Sequence, residues 1–229
     1  MVIFYNLKGV AIDLDGTLIN SLKVYDEVHK KILEKYNIKL DGSLDNFGMS
    51  PEEIIYDIVN KYNLNIPIED LKREFENIII NEYMEKIKFN PGAKQILNYF
   101  KDKKYKMAIF TSNTRRLTIE ILKYLHIYNL FDIIITSDDV KQTKPDPEGY
   151  IKILKGFSVL PNEILAIEDS IYGVIAAKRA GINVIGVTSG VNKKRELISA
   201  GATMVFKNLK ELYNYLIEED NKNNQNNNQ

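Results

Sequence analysis

Two aspartates separated by a single residue, Asp13 and Asp15, follow a short apolar run at residues 10–12. In an extended segment alternate side chains point to the same side, so these two carboxylates are expected to lie close together. Carboxylates that close repel each other unless a cation or a shared proton intervenes. The pattern favours a site of oxygen ligands for a hard cation such as Mg²⁺, next to a phosphate group. Asp-Gly-Thr at residues 15–17 is also a common turn sequence.

Three further polar segments fall at predicted strand ends. They are Thr111-Ser112-Asn113, Lys144-Pro-Asp-Pro147 and Glu168-Asp169. A hydroxyl and turn amides suit phosphate oxygens, a lysine supplies positive charge, and a second acidic pair supplies cation ligands. Each segment alone is better explained as a helix cap or a solvated surface group. The four segments in this order are hard to explain by capping, and together they predict one site.

The elements that position these segments alternate between short apolar runs and stretches with helical spacing. The apolar runs cover residues 10–12, 106–110, 133–135, 164–167 and 183–187. Strand-length runs separated by helices predict a parallel sheet with helices on both faces. Ligands of such folds bind beyond the carboxyl ends of the strands. We therefore expect an α/β fold, a Rossmann-like three-layer core, with its chemistry at the strand ends.

The segment from about residue 21 to residue 89 has a different pattern, with three amphipathic helical stretches and no convincing strand. It predicts a helical insertion after the first strand, which closes at Asn90-Pro91-Gly92. The expected organisation is an α/β core at residues 1–19 and 90–220 and a helical cap at residues 20–89. Residues 221–229 are rich in Asn and Gln and are expected to be a disordered tail.

Composition excludes several classes of function. The chain has 229 residues and no cysteine, which excludes disulfides, thiolate metal sites and a cysteine nucleophile. With only two histidines, a zinc site built from several histidines is not expected. Equal numbers of basic and acidic residues, 31 of each, argue against nucleic-acid binding. Without an apolar segment of membrane-spanning length, an export signal or a cysteine, we expect a cytoplasmic protein that does not bind membranes. The balanced charge and a complete single core favour a monomer.

The four motifs in this order resemble those of the haloacid dehalogenase-like hydrolase superfamily. The resemblance covers residues 9 to about 206, and it is greatest to the branch that contains phosphoglycolate phosphatase and β-phosphoglucomutase. It implies a two-step phosphoryl transfer. Asp13 would attack phosphorus and form an aspartyl-phosphate. Asp15 would protonate the leaving oxygen and then deprotonate the attacking water.

The resemblance also implies a cofactor and its ligands. Mg²⁺ would be held by the Asp13 carboxylate, the Asp15 main-chain carbonyl and Asp169, with Glu168 in or just outside that shell. The groups implied to hold the phosphoryl oxygens are Thr111, Lys144 and the amides near Ser112 and Asn113. A carboxylate can approach a phosphate dianion only where positive charge offsets the repulsion, and Mg²⁺ and Lys144 would supply that charge.

The main rival within the family is a β-phosphoglucomutase-like phosphosugar mutase. Such enzymes carry a histidine twelve residues after the nucleophile, where this chain has Tyr25. They also carry an arginine after a Gly-x-Ser in the cap, where this chain has Pro51. Both differences favour transfer to water. A non-catalytic phosphate-binding protein of the same fold is the alternative from another class, and the intact Asp13, Asp15 and Lys144 argue against it.

The cap is expected to select the substrate, a small phosphorylated metabolite, and its closure would exclude water. Candidate contacts are Asn20, Tyr25, Gly48, Met49 and Ser50. Lys72 and Arg73 are expected on a solvated helix face, and His29 is expected to be a packing or surface residue. Phosphoglycolate, a sugar phosphate, pyrophosphate and a nucleotide all remain open as substrates.

Overall fold

A six-stranded parallel sheet forms the centre of the molecule. The computed structural model describes residues 6–38, 51–62 and 64–226. The strands are β1 (Gly9–Ile12), β2 (Lys106–Phe110), β3 (Ile133–Ile135), β4 (Ile164–Glu168), β5 (Asn183–Val187) and β6 (Met204–Phe206). The α-helices are α1 (Leu22–Lys35), α2 (Pro51–Lys61), α3 (Ile68–Ile78), α4 (Ala93–Asp102), α5 (Arg115–Tyr124), α6 (Glu148–Phe157), α7 (Ile171–Arg179), α8 (Lys194–Ala200) and α9 (Leu209–Asn226). The α/β prediction is confirmed.

The strand order is β3-β2-β1-β4-β5-β6, so the chain leaves β1 in one direction and later returns to its other side. Val10 of β1 is in register with Met107 of β2 and with Leu165 of β4. The order reverses at β1, and a reversal of this kind opens a crevice at the carboxyl ends of the neighbouring strands. The topology therefore brings the ends of β1, β2 and β4 to one place.

The central strands are fully buried because both faces of the sheet are covered. Every residue of β1 and of β4 is buried, which is the pattern of strands inside a parallel sheet. Val10 and Ile12 pack in a core cluster with α4, α5 and α9, whereas Ala11 packs in a second cluster with α6, α7 and α8. This alternation follows from the two-residue period of a strand, and it produces three layers.

The helical block between β1 and α4 is joined to the sheet through two adjacent chain crossings. The main-chain N–H of Asn20 donates to the carbonyl of Lys88 at 3.0 Å, and the main-chain N–H of Asn90 donates to the carbonyl of Leu18 at 2.8 Å. The predicted third helix is α3 followed by a π-helical turn at Ile79–Tyr83 and a 3₁₀ turn at Met84–Lys86. Within the described ranges, none of the helices has the length and apolar character needed to cross a membrane.

Three features differ from the sequence-based expectations. The short strand β6 had not been predicted, because only one of its three residues is buried and its apolar run is brief. Helix α9 continues to Asn226, so the disordered tail predicted to begin at residue 221 is corrected over residues 221–226. Extending an existing helix costs little, and a Lys222–Glu219 ion pair links the start of this last part to the preceding turn. The Lys72 side chain is only 15% exposed and is not on a solvated face.

Asn90 fixes the segment that follows the aspartate pair. Its side-chain amide donates to the main-chain carbonyls of Gly16, Thr17 and Ile19, at 2.9, 3.0 and 3.1 Å. Because Asn90 is buried, Asn90→Ala removes the side-chain donor that these three carbonyls share, and we expect a loss of about 2–3 kcal/mol in the free energy of unfolding. Urea unfolding measures this loss. Asn98→Ala on the exposed face of α4 is the control. An equally small loss of stability in both variants would contradict this role of the Asn90 side chain.

Candidate active site

Lys144 lies at the centre of the site, where its ammonium group meets three acceptors. Its Nζ lies 2.7 Å from Asp13 Oδ1, 2.8 Å from Glu168 Oε1 and 2.9 Å from the carbonyl oxygen of Phe110. Burial alone would lower the lysine pKa, but the two carboxylates outweigh that effect and raise it above its usual value. The lysine is therefore a fixed positive charge between the end of β1 and the end of β4.

Asp169 follows β4 and is enclosed by two glycine-containing turns. Its Oδ1 accepts from the Thr17 hydroxyl at 3.3 Å, and its Oδ2 accepts from the Val191 amide at 3.2 Å. A Cβ atom at Gly190 would lie 1.6 Å from Asp169 Oδ2, and one at Gly16 would lie 2.4 Å from the same atom. Gly16 also has a positive φ of 80°, which suits glycine. Both turns can approach the Asp169 carboxylate this closely because Gly16 and Gly190 have no side chain.

Three buried carboxylates, those of Asp13, Glu168 and Asp169, form a cluster with ligand atoms within 4.8 Å of one another. Oδ2 of Asp13 and Oε2 of Glu168 are buried and have no hydrogen-bond partner. Burial, together with the charges of Asp13 and Glu168, raises the pKa of Asp169 well above its usual value. Lys144 alone leaves negative charge uncompensated, so the cluster fits a hard divalent cation such as Mg²⁺.

The Asp15 carboxylate points to a different set of partners. Its Oδ1 accepts from the hydroxyls of Ser21 at 2.5 Å and Tyr25 at 2.6 Å. Its Oδ2 accepts from the Thr111 hydroxyl at 3.1 Å and from the Asn113 side-chain amide at 2.7 Å. Burial and the nearby charge of Asp13 raise the Asp15 pKa, although the hydroxyl hydrogen bonds oppose that shift. A raised pKa is the property required of a carboxyl group that gives and takes a proton.

The segment after β2 lies between the aspartates and the helical block. The Thr111 hydroxyl accepts from the main-chain amide of Asn113 at 3.1 Å, and Asn113 also donates from its side chain to the Tyr25 hydroxyl at 2.8 Å. Ser112 lines a narrow crevice whose other wall includes Ile55 of α2 and Phe75 of α3. The structure thus brings Thr111 and Asn113 to Asp15, while Ser112 faces the helical block.

The candidate substrate contacts are placed differently from one another. Tyr25 of α1 reaches Asp15 directly, as described above. The side-chain oxygen of Asn20 accepts from the main-chain amide of Lys88 at 2.9 Å, so Asn20 stabilises the junction between the helical block and the sheet domain. His29 is fully buried and stacks on Phe75 with ring centroids 4.5 Å apart, which confirms a packing role. The remaining candidates, Gly48, Met49 and Ser50, lie outside the described residues.

Several residues of the site were not identified from the sequence. The Tyr150 hydroxyl donates to Glu168 Oε1 at 2.5 Å, Ser21 donates to Asp15, and Gly190 permits the approach to Asp169. Tyr150 is on α6, six residues after Lys144, and it has the spacing of an ordinary core residue. No local pattern marks Gly190, because its role depends on a contact with a residue 21 positions earlier.

Gly190→Ala is expected to disturb the candidate cation site selectively. The new methyl group would overlap Asp169 Oδ2, so either the carboxylate or the turn must move. Displacing a carboxylate ligand or its support typically weakens metal affinity about 10–100-fold, and we expect a change of that size in Mg²⁺ affinity measured by calorimetry. Gly156→Ala on α6 is a matched control, since its closest contact is the flexible end of Ile133. Equal Mg²⁺ affinity in both variants would contradict this prediction.

Comparison with known proteins identifies the family of the chain. The family model for haloacid dehalogenase-like hydrolases matches residues 10–187. A phosphorylated carbohydrates phosphatase of Thermotoga maritima is 31% identical over 204 residues, which cover 88% of this chain and 94% of that protein. A phosphoglycolate phosphatase of Nitrosospira multiformis is 25% identical over 198 residues, covering 83% of this chain and 87% of that protein.

A solved structure from Thermotoga maritima, provisionally described as a β-phosphoglucomutase, has the same architecture. It superposes with a TM-score of 0.76 at 31% identity, covering 93% of this chain and 99% of that chain. The region matched by the family model, residues 10–187, includes all four segments that form the site. Three of them lie at the carboxyl ends of strands, whereas Lys144 lies nine residues after β3, in the loop before α6. The motif-based prediction is confirmed, and the chain belongs to the haloacid dehalogenase-like hydrolase family.

Proposed function

We propose that this protein is a Mg²⁺-dependent phosphatase that hydrolyses a small phosphate monoester through an aspartyl-phosphate intermediate. The observation that carries the proposal is the arrangement of Asp13, which has one oxygen bound to Lys144 and the other without a partner in a cluster of buried carboxylates. A carboxylate held between compensating positive charges can approach a phosphate dianion. The curated relatives described above are phosphatases, which supports the same conclusion.

Each residue of the site has a role in this proposal. Asp13 attacks phosphorus, while Lys144 offsets the negative charge of the transferring group and keeps the attacking carboxylate in place. Asp169 and Glu168, with Asp13 and the Asp15 main-chain carbonyl, would hold Mg²⁺. When bound, Mg²⁺ supplies positive charge that lowers the repulsion between the carboxylate and the phosphate.

Asp15 is the proposed acid and base. Its raised pKa favours a protonated carboxyl group, which can give its proton to the leaving oxygen. The carboxylate formed in this way can then take a proton from the water that hydrolyses the aspartyl-phosphate. The side chains of Thr111 and Asn113, which already contact Asp15, would help to align the phosphoryl group.

Residues 20–89 are proposed to act as a cap that excludes water from the reaction and selects the leaving group. Two contacts from this segment reach the acid-base residue, since Ser21 and Tyr25 both donate to Asp15. The names of the relatives suggest phosphorylated carbohydrates and phosphoglycolate as the first substrates to test. Cytoplasmic location and a monomeric state remain predictions.

The proposal is tested with purified protein and a panel of phosphate esters that includes a generic aryl phosphate. We expect release of inorganic phosphate that requires Mg²⁺, stops on chelation with EDTA and returns when Mg²⁺ is restored. Activity that is unaffected by chelation would contradict the metal requirement. The absence of phosphate release from every ester, together with phosphate binding, would instead favour a non-catalytic protein.

The mutase alternative is tested in the same assay. The protein is incubated with β-glucose 1-phosphate and the corresponding bisphosphate, and both glucose 6-phosphate and free phosphate are measured. We expect free phosphate, because Tyr25 stands where the mutases carry a histidine. Formation of glucose 6-phosphate as the main product would overturn the hydrolase proposal in favour of the mutase.

A further inference from the structure

Tyr150 is buried beneath the carboxylate cluster and makes one polar contact with it. Its side chain is 0% exposed, and its hydroxyl donates to Glu168 Oε1 at 2.5 Å. The same oxygen lies 2.8 Å from Lys144 Nζ. Both donors are thus directed at one oxygen of Glu168, whereas Oε2 of the same carboxylate has no hydrogen-bond partner.

The tyrosine ring is itself held in a fixed position. It meets the Phe110 ring edge-on, with centroids 5.0 Å apart and an interplanar angle of 90°. Phe110 in turn lies under Lys144, whose Nζ is 4.8 Å from the ring centroid. A Cβ atom at Gly149 would lie 2.3 Å from Phe110 Cζ, so the glycine before Tyr150 is what allows this close packing. A rotation of the Tyr150 ring would require Phe110 to move.

Packing alone does not explain the hydroxyl group. A phenylalanine would fill the same space, and a buried hydroxyl is tolerated only where a partner compensates its desolvation. The partner here is a carboxylate, for which a hydrogen bond is stronger than between neutral groups. The hydroxyl therefore serves Glu168.

We propose that Tyr150 is a positioning residue of the cation site, which acts by fixing Glu168 so that Oε1 is held by Tyr150 and Lys144 while Oε2 stays available to the cation. This inference rests on the proposed function, because it assumes that the cluster binds Mg²⁺. Residues that hydrogen-bond to metal ligands orient those ligands, and their loss typically costs 10–100-fold in metal affinity.

The test measures Mg²⁺ binding to the metal-free protein by calorimetry, without substrate or turnover. Three proteins are compared: the wild type, Tyr150→Phe and the control Tyr99→Phe. Tyr99 is half-buried on α4, and its hydroxyl donates to Asp220 at 3.1 Å, so its variant removes a comparable hydrogen bond away from the site. We expect the Mg²⁺ dissociation constant to rise about tenfold in Tyr150→Phe and to stay within about twofold of wild type in Tyr99→Phe.

A second measurement separates positioning from a general loss of structure. In steady-state assays, Tyr150→Phe should raise the Mg²⁺ activation constant, while the KM for the ester at saturating Mg²⁺ stays near the wild-type value. In a Glu168→Gln background, the further change Tyr150→Phe should have little effect on Mg²⁺ affinity, because the two residues act through the same carboxylate.

The outcomes distinguish this inference from the proposal on which it rests. Failure of the wild-type protein to bind Mg²⁺ would overturn the proposed metal-dependent function itself. Wild-type binding with unchanged affinity in Tyr150→Phe would overturn only the role of Tyr150. An equal loss of affinity with and without Glu168→Gln would also overturn that role, because Tyr150 would then act through another group.

Discussion

Asp13→Asn is expected to lower kcat for phosphate ester hydrolysis by about 10⁴-fold or more, the usual scale for loss of a catalytic nucleophile. Asparagine has nearly the same shape and can still accept a hydrogen bond from Lys144, but its amide oxygen cannot form a stable acyl phosphate. The measurement is steady-state phosphate release in saturating Mg²⁺. Asp102→Asn, at an exposed position of α4, is the control and should retain wild-type activity.

Asp15→Asn distinguishes the proposed acid-base residue from the proposed nucleophile, Asp13. With an aryl phosphate the leaving group needs no proton, so the first step should still occur, whereas hydrolysis of the intermediate loses its base. We therefore expect a phosphorylated protein to accumulate in Asp15→Asn and none to form in Asp13→Asn, as judged by intact mass after rapid acid quench. Retention of more than about a tenth of kcat by Asp13→Asn would rule out Asp13 as the nucleophile.

Lys144→Met is expected to remove activity and, in metal-free protein, to lower the free energy of unfolding by about 3–5 kcal/mol. The reason is that the ammonium group is buried between Asp13 and Glu168, and its removal leaves those carboxylates uncompensated. Urea unfolding in EDTA measures the effect. Lys155→Met, on the exposed face of α6, is the control and should change stability by less than about 1 kcal/mol.

The stability of Lys144→Met should depend on pH, and the direction follows from the carboxyl pKa shifts. Burial raises the pKa of both Glu168 and Asp169, and nearby negative charge adds to the effect on each. A carboxyl whose folded-state pKa is raised destabilises the folded protein above its unfolded pKa, and that penalty is relieved as the pH falls through the folded pKa. The loss in Lys144→Met should therefore be smaller near pH 5 than near pH 8. A loss that is larger in acid would show that another group determines it.

Much of the core could be predicted because its central strands are short, largely apolar runs. Both faces of β1 and β4 are covered by helices, so no polar residue interrupts them, and each ends abruptly at acidic residues. The edge strand β6 lacks this signal, since two of its three residues are only half buried. The prediction for the end of α9 was wrong as well. The Asn- and Gln-rich composition indicated a solvated segment, but it could not show that an existing helix continues through residues 221–226.

That the site residues lie at the same edge of the sheet could be predicted for a related reason. Parallel strands place their carboxyl ends on one edge of the sheet, so Asp13, Thr111 and Glu168 were expected at the same edge once the strands were identified. The strand order, with β1 between β2 and β4, is what makes them neighbours. The sequence could not show which oxygen of each carboxylate is occupied. Oε1 of Glu168 is bound by both Tyr150 and Lys144, whereas Oε2 has no hydrogen-bond partner, and the Tyr150 contact exists only when α6 packs on the sheet.

By itself, the sequence determined the fold class, the family and the residue types available for phosphoryl transfer, because those follow from local patterns and from motifs in a fixed order. Only the tertiary structure decided how the residues are paired. Asp15 is held by Ser21 and Tyr25 because the helical block folds back over the strand ends. Asp169 is enclosed because Gly190, distant in the chain, approaches without a side chain. Such contacts depend on the packing of separate elements, for which a linear sequence carries no local signal.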